Sequence, residues 1–139
     1  MERGNYASAI ARYREAVRLH PTWAGCHLNL GRALFMAGRY SEAKRAFADA
    51  LTRAPVYGLA HLMMGLTLLR EEDLGGALRE FRTAAHLNPS RTVARFHAAE
   101  TLARLGRVGE AMEEYRRILR IEPMNVRAQM ALQTLMSGN

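Results

Sequence analysis

The sequence predicts an all-α fold, an α-solenoid in which about seven to eight helices stack as antiparallel hairpins. The first observation is a strict period of 34 residues, because four similar stretches begin at Gly4, Gly38, Glu72 and Gly106. The four prolines follow the same period, at Pro21, Pro55, Pro89 and Pro123. The second observation is that two amphipathic helical patterns alternate within each period, as in residues 24–37 and 40–53. Each period is therefore expected to form one helical hairpin.

The order of these patterns predicts a single array over residues 1–139. Residues 4–21 match the second helix of a partial repeat, and full repeats follow at 24–57, 58–91 and 92–125. Residues 126–136 match a first helix, which can cap the array through a polar outer face. That face consists of Arg127, Gln129, Gln133 and Thr134.

Residues with special backbone or capping properties mark the ends of the helices. Gly38 and Gly106 can adopt the positive φ that closes a helix. Each proline ends the second helix of its repeat, because the residue before a proline is pushed out of helical geometry. Five polar residues are placed to cap the following helix with a side chain, namely Asn5, Thr22, Asp73, Ser90 and Asn125.

Positions equivalent in the period separate by size, which predicts where helices approach closely. Small residues occupy the sets Gly31/Gly65/Ala99, Cys26/Ala60/Ala94/Ala128 and Ala9/Ala43/Ala77/Ala111. Large residues occupy the sets Leu34/Leu68/Leu102/Met136 and Tyr13/Phe47/Phe81/Tyr115. The large side chains are expected to fill the gaps beside the small ones, so stacked hairpins bury a face that one hairpin cannot.

These features resemble the tetratricopeptide repeat family, whose pattern repeats every 34 residues. The residues that carry the resemblance in one repeat are Leu30, Gly31, Gly38, Tyr40, Ala43, Phe47, Ala50 and Pro55. The pattern covers essentially the whole chain in four copies. It departs from the family at His27, His61, Arg95 and Gln129, where tryptophan is common, and at Glu72, which replaces a turn glycine. The resemblance implies a right-handed superhelix.

In this family the first helices line a concave groove that holds peptides or extended partner segments. Transferred position by position, the resemblance implies a groove formed by Leu28, Asn29, Arg32, Phe35, Leu59, Leu62, Met63, Leu66, Arg70, Val93, Phe96, His97, Glu100, Arg104, Arg127 and Met130. Met36, Leu69 and Thr134 belong to the same implied groove. The implied function is a noncatalytic protein-interaction scaffold.

The groove composition favours an amphipathic, somewhat acidic peptide or helical segment. Its centre can bury apolar side chains through Leu59, Leu62, Met63 and Leu66. Its flanks can pair with ligand carboxylates through Arg32, Arg70, Arg104 and Arg127. Part of the apolar set can instead pack between repeats. The lysine and asparagine clamp with which family members hold chaperone tails is absent, because its positions carry Leu28, Arg32, Met63, Val93 and His97.

Two other functions remain open. The repeats can be a substrate-positioning arm of a larger enzyme, as in glycosyltransferase relatives, although Asn29 has no asparagine at the equivalent positions of other repeats. The basic chain can also bind RNA, although its arginines alternate with glutamates and the groove offers only Phe35 and Phe96 for base stacking. We find no catalytic motif and expect no cofactor.

No metal site is expected at the histidines. His27 and His61 are equivalent residues one repeat apart, so stacked helices hold them roughly 9–10 Å from each other. That separation is too large for one ion with bonds of about 2 Å.

The net charge of +7 is dispersed along the chain, and Cys26 is the single cysteine. With neither a signal peptide nor an apolar stretch of about 18 residues, the chain is expected to be soluble and cytoplasmic. The first helix is expected to expose an apolar edge of Tyr6, Ile10, Tyr13 and Val17. Two explanations stay open for this edge, namely that the chain is a piece of a longer protein or that it self-associates there.

Overall fold

The fold consists of eight α-helices and no strands within residues 3–138, the part of the chain that the computed structural model describes. The helices are α1 (Arg3–Leu19), α2 (Ala24–Met36), α3 (Tyr40–Arg53), α4 (Gly58–Arg70), α5 (Leu74–Leu87), α6 (Val93–Arg104), α7 (Val108–Ile121) and α8 (Val126–Met136). Each helix packs against the next one along the chain, and α2 also contacts α4. The predicted all-α solenoid of stacked hairpins is confirmed.

The turns inside the hairpins use a left-handed residue, as predicted for two of them. Gly38 and Gly106 have φ values of 79° and 78°. At the equivalent position Glu72 adopts a φ of 61°, which is unusual for a residue with a side chain. Its carboxylate accepts a hydrogen bond from Arg104 at 2.8 Å.

Only two of the five predicted caps form. Asp73 Oδ1 accepts a hydrogen bond from the backbone N–H of Gly76 at 2.9 Å, and Asn125 Oδ1 accepts one from Ala128 at 3.0 Å. The other three predictions were wrong. Asn5 lies inside α1, which begins at Arg3, while Trp23 and Thr92 take the capping positions in place of Thr22 and Ser90.

A phenylalanine ring against a glycine sets the distance between the two helices of a hairpin. Phe47 packs on Gly31 and Phe81 packs on Gly65, and both rings are fully buried. A Cβ atom built on either glycine would lie only 2.5 Å from the nearest ring carbon. The predicted match of small and large positions is therefore the contact that holds each hairpin closed.

His27 and His61 form hydrogen bonds to the turns between repeats. His27 Nε2 donates to the carbonyl oxygen of Pro21 at 2.8 Å, and His61 Nε2 donates to that of Pro55 at 2.7 Å. The equivalent Gln129 makes the same bond to the carbonyl of the preceding proline. This set therefore ties the end of one repeat to the first helix of the next.

The predicted apolar edge of α1 is only partly exposed. Tyr6, Tyr13 and Val17 are half-buried, in contrast to Phe47 and Phe81 at the positions equivalent to Tyr13. The prediction was wrong for Ile10, which is 3% exposed because α2 packs over it.

Candidate functional site

The predicted groove residues lie on one helix of each hairpin and on the terminal helix, that is on α2, α4, α6 and α8. We call the surface that they form the groove face. All of the predicted set except Leu28 are half-buried or exposed. Leu28 is 2% exposed and belongs to the core, so its assignment to the groove was wrong. The alternative that part of the central apolar set packs between repeats also has support. Leu59 and Met63 pack against one core cluster, and Leu62 and Leu66 against another, while each keeps part of its surface exposed.

The ends of α4 and α6 enclose a cavity of about 580 Å³, which we call the groove cavity. It brings together five of the predicted residues, namely Leu66, Arg70, His97, Glu100 and Arg104. Leu69, Tyr40 and Glu72 complete the lining. The cavity lining therefore combines two leucines with several ionisable side chains.

A second cavity, of about 630 Å³, opens between the beginnings of α4 and α6, over the end of α5. We call it the rim cavity, and its lining comprises Val56, Tyr57, Gly58, Leu59, Leu62, Ala84, Leu87, Asn88, Arg91, Val93 and Ala94. Leu59, Leu62 and Val93 were predicted as groove residues, whereas the others were not.

Aromatic and cationic side chains are stacked where α6 meets α8. The Arg127 guanidinium lies 4.4 Å from the centre of the Phe96 ring, and Phe96 meets the ring of Tyr115 edge to face at 5.4 Å. Burial raises the pKa of Tyr115 to about 12, and the nearby Glu100 carboxylate acts in the same direction. Arg70 similarly lies over Phe35, at 5.7 Å. On each groove phenylalanine an arginine therefore already lies over the ring, where a stacked base would have to compete with it.

The arginines of the groove face differ in their partners. The Arg104 guanidinium is already paired with the Glu72 carboxylate of the preceding repeat, at 2.8 Å. Within residues 3–138, Arg32, Arg70 and Arg127 have no carboxylate oxygen within 4.0 Å. Of the four arginines predicted to pair with a ligand, Arg104 is thus engaged within the chain, and the other three have no ionic partner in the part of the chain that the structure describes.

Many glutamates are engaged elsewhere. The Arg39 hydrogen bond holds the pKa of Glu42 below its usual range, and the Thr92 and Asn125 hydrogen bonds lower that of Glu122. Glu100, which lines the groove cavity itself, lies 3.4 Å from His97. The groove face therefore carries net positive charge, because Arg32, Arg70 and Arg127 have no carboxylate partner within residues 3–138 and Glu100 is the one acidic residue of the predicted set.

Sequence reasoning missed Tyr57, Leu87 and Arg91, which line the rim cavity from the turns and from α5. The groove was inferred from positions on the first helices alone. A signal was nevertheless present in the period, because Arg91 stands where the two preceding repeats carry the aromatic residues Trp23 and Tyr57.

Two sequence profiles, each described as "Tetratricopeptide repeat", match residues 1–65 and 62–126. The chain belongs to the tetratricopeptide repeat family. No functionally curated protein matches it in sequence. None of the helices described between residues 3 and 138 has the length and apolar character needed to cross a bilayer.

Solved structures of this family share the fold. The crystal structure of MamA superposes with a TM-score of 0.91 at 19% identity, covering 97% of this chain and 79% of that one. YrrB, "a TPR protein with an unusual peptide-binding site", gives 0.82 at 26% identity, covering 96% and 69%. The first repeat domain of Spaghetti (RPAP3), solved with the HSP90 peptide SRMEEVD, gives 0.76 at 23% identity, covering 83% and 94%.

Proposed function

We propose that the chain is a noncatalytic protein-interaction scaffold whose groove face binds an amphipathic, acidic peptide or helical segment. The observation that carries the proposal is the combination of half-buried apolar side chains with the uncompensated arginines Arg32, Arg70 and Arg127. A peptide-binding member of the family with the same fold, YrrB, supports the general class.

The apolar part of the groove face suits side chains better than a peptide backbone. Leu62, Met63 and Leu66 offer no hydrogen-bonding side-chain groups, and each retains part of its surface. They can bury the apolar face of a helix, and the flexible methionine can adapt to an imperfect fit. Carboxylates on the opposite margin of such a helix can then pair with the free arginines, which adds specificity and speeds association.

A matched pair of synthetic peptides tests the proposal. Both are helical, about 18 residues long, with leucines along one face at helical spacing. One carries glutamate on its polar face and the other carries lysine. We expect the acidic peptide to bind in a fluorescence anisotropy titration and to weaken as salt is added, because screening reduces the attraction of exposed charges. The lysine peptide should not bind.

Charge reversal on the protein locates the site. The double variant Arg32→Glu with Arg70→Glu should lower the affinity for the acidic peptide by about ten-fold or more, since each change replaces an attraction by a repulsion. Arg104 is avoided because its loss would free Glu72. The control is Arg45→Glu with Arg79→Glu, two exposed arginines on α3 and α5. Equal binding of both peptides, or equal weakening by both double variants, would contradict the proposal.

A further inference from the structure

The rim cavity stands out because its lining is apolar except at its mouth. Among its lining residues only Asn88 and Arg91 have polar side chains beyond the Tyr57 hydroxyl, and no acidic residue lines it. The side-chain Oδ1 of Asn88 already accepts a hydrogen bond from the Ser90 hydroxyl. A cavity of about 630 Å³ lies within the range of small-ligand and side-chain pockets.

The equivalent junction one repeat earlier is closed. Leu28 stands there in the place of Leu62 and is 2% exposed. Tyr57 and Leu59 pack against the core cluster that contains Leu28. At the preceding junction, the positions equivalent to Arg91 and Val93 are therefore occupied by two large side chains that pack on the core.

The equivalent junction one repeat later is nearly filled. Phe96 stands in the place of Leu62, and the guanidinium of Arg127 covers its ring at 4.4 Å. The cavity that remains beside them, lined also by Val93 and Asn125, is only about 80 Å³. The larger side chain and its cover account for the difference.

The middle junction is open because its covering residues have changed. Arg91 replaces Tyr57, and Val93 replaces Leu59, in the repeat register. The shorter valine is itself 54% exposed, and Leu62 beneath keeps part of its surface. The rim cavity is thus a specific feature of this junction and not a general property of the repeat.

Charge indicates what the cavity would hold. Arg91 is exposed, and no carboxylate oxygen of residues 3–138 lies within 4.0 Å of it. A guanidinium beside an apolar pocket is complementary to a large apolar side chain with a carboxylate next to it.

We infer that the rim cavity is an anchor site for one large aliphatic or aromatic side chain of a bound polypeptide, with Arg91 pairing to an adjacent carboxylate. This inference rests on the proposed function, because the anchor belongs to a segment that continues along the groove face. Leu59, Leu62 and Val93 join the two surfaces.

The smallest probes of this site are N-acetyl-phenylalanine and its amide, which differ only in the carboxylate. Titrated into the full chain and followed by methyl NMR, the acid should give saturable shifts at Leu62, Leu87 and Val93. The amide should bind several-fold more weakly, because it lacks the charge that Arg91 would pair with. In Arg91→Gln the two probes should bind alike, whereas the control Arg79→Gln on α5 should behave as the wild type.

Two variants close the cavity with residues that the chain already uses. Arg91→Tyr with Val93→Leu installs the cover of the preceding junction, and Leu62→Phe installs the filling residue of the following one. Either change should abolish the methyl shifts caused by the probes. It should also lower the affinity for the acidic peptide by about ten-fold, the order expected for loss of one buried apolar side chain. A thermal melt of each variant checks that it is folded, and two independent closures allow for the failure of one.

The outcomes separate the anchor from the groove. If the acidic peptide binds normally to both closed variants, the anchor inference is overturned and the proposed function stands. If the probes shift the cavity methyls but the acidic peptide does not bind, the proposed function fails while the cavity keeps its selectivity for an apolar carboxylate. Probe shifts that are absent, or equal for acid and amide in the wild type, overturn the assignment of the site.

Discussion

Adding one methyl group at Gly65 tests whether the contact of a ring with a glycine sets the spacing of the helix hairpin. In Gly65→Ala the new Cβ would lie 2.5 and 2.7 Å from two carbons of the Phe81 ring. Favourable carbon contacts lie at about 3.5–4.0 Å, so the ring or a helix must move by roughly an ångström. Phe81 is fully buried, so its ring can only move against the side chains that surround it.

The expected cost follows from two opposing effects. Overpacking of a full core costs about 1–3 kcal/mol. Replacing glycine by alanine in a helix returns about 0.4–1 kcal/mol by restricting the unfolded chain. We therefore expect Gly65→Ala to lower the free energy of unfolding by about 1–2 kcal/mol.

Urea unfolding followed by far-UV circular dichroism measures this difference. Gly109→Ala is the matched control, because its Cβ meets no atom within 4 Å, and it should stabilise the chain or leave it unchanged. Adding Phe81→Leu to Gly65→Ala should remove the clash, so the double variant should lose less stability than the sum of the singles. A Gly65→Ala chain as stable as the Gly109→Ala control, or strict additivity in the double variant, would refute the reasoning.

Three further predictions concern packing, capping and titration. Phe47→Ala should lower the free energy of unfolding by about 3–5 kcal/mol, because it truncates a core side chain. Tyr13→Ala should lower it clearly less, because Tyr13 is half-buried, and urea unfolding compares the two. Asp73→Ala should cost about 1 kcal/mol through its lost cap, whereas Ser90→Ala, which caps no helix, should leave the melting temperature nearly unchanged. The pKa of Tyr115 is about 12 in the folded chain and about 10 when unfolded, so the unfolded state releases its proton first as pH rises. The free energy of unfolding should therefore fall between about pH 10 and 12, by up to about 2–3 kcal/mol, and Tyr115→Phe should lose that part of the pH dependence in urea titrations at alkaline pH.

The period of the sequence was sufficient to predict the architecture. Equivalent helices meet the same packing problem in each repeat, so the pair of Gly31 and Phe47 recurs one repeat later as Gly65 and Phe81. Helix ends were less predictable, since Thr22 and Ser90 have capping chemistry but the capping positions, Trp23 and Thr92, lie one and two residues beyond them. A shift of one residue moves a side chain away from the free N–H groups.

The candidate site was predictable where it depended on helix periodicity and not where it depended on neighbours. Position alone predicted Leu62, Arg70 and His97 as groove residues, and the structure places Leu62 in the rim cavity and the other two in the groove cavity. It could not show that Leu28 is buried in a core cluster, because that cluster also includes residues of the following repeat, against which Tyr57 and Leu59 pack. The rim cavity arises from the same kind of contact between repeats.

The most direct test of the groove face is to observe where a bound segment lies. The acidic amphipathic peptide, carrying a nitroxide spin label, should broaden the methyl resonances of Leu62, Met63 and Leu66 on α4. The methyl groups of Thr52 and Thr83, exposed on α3 and α5, should remain sharp. Broadening of the two threonines with sharp α4 methyl signals would contradict the account.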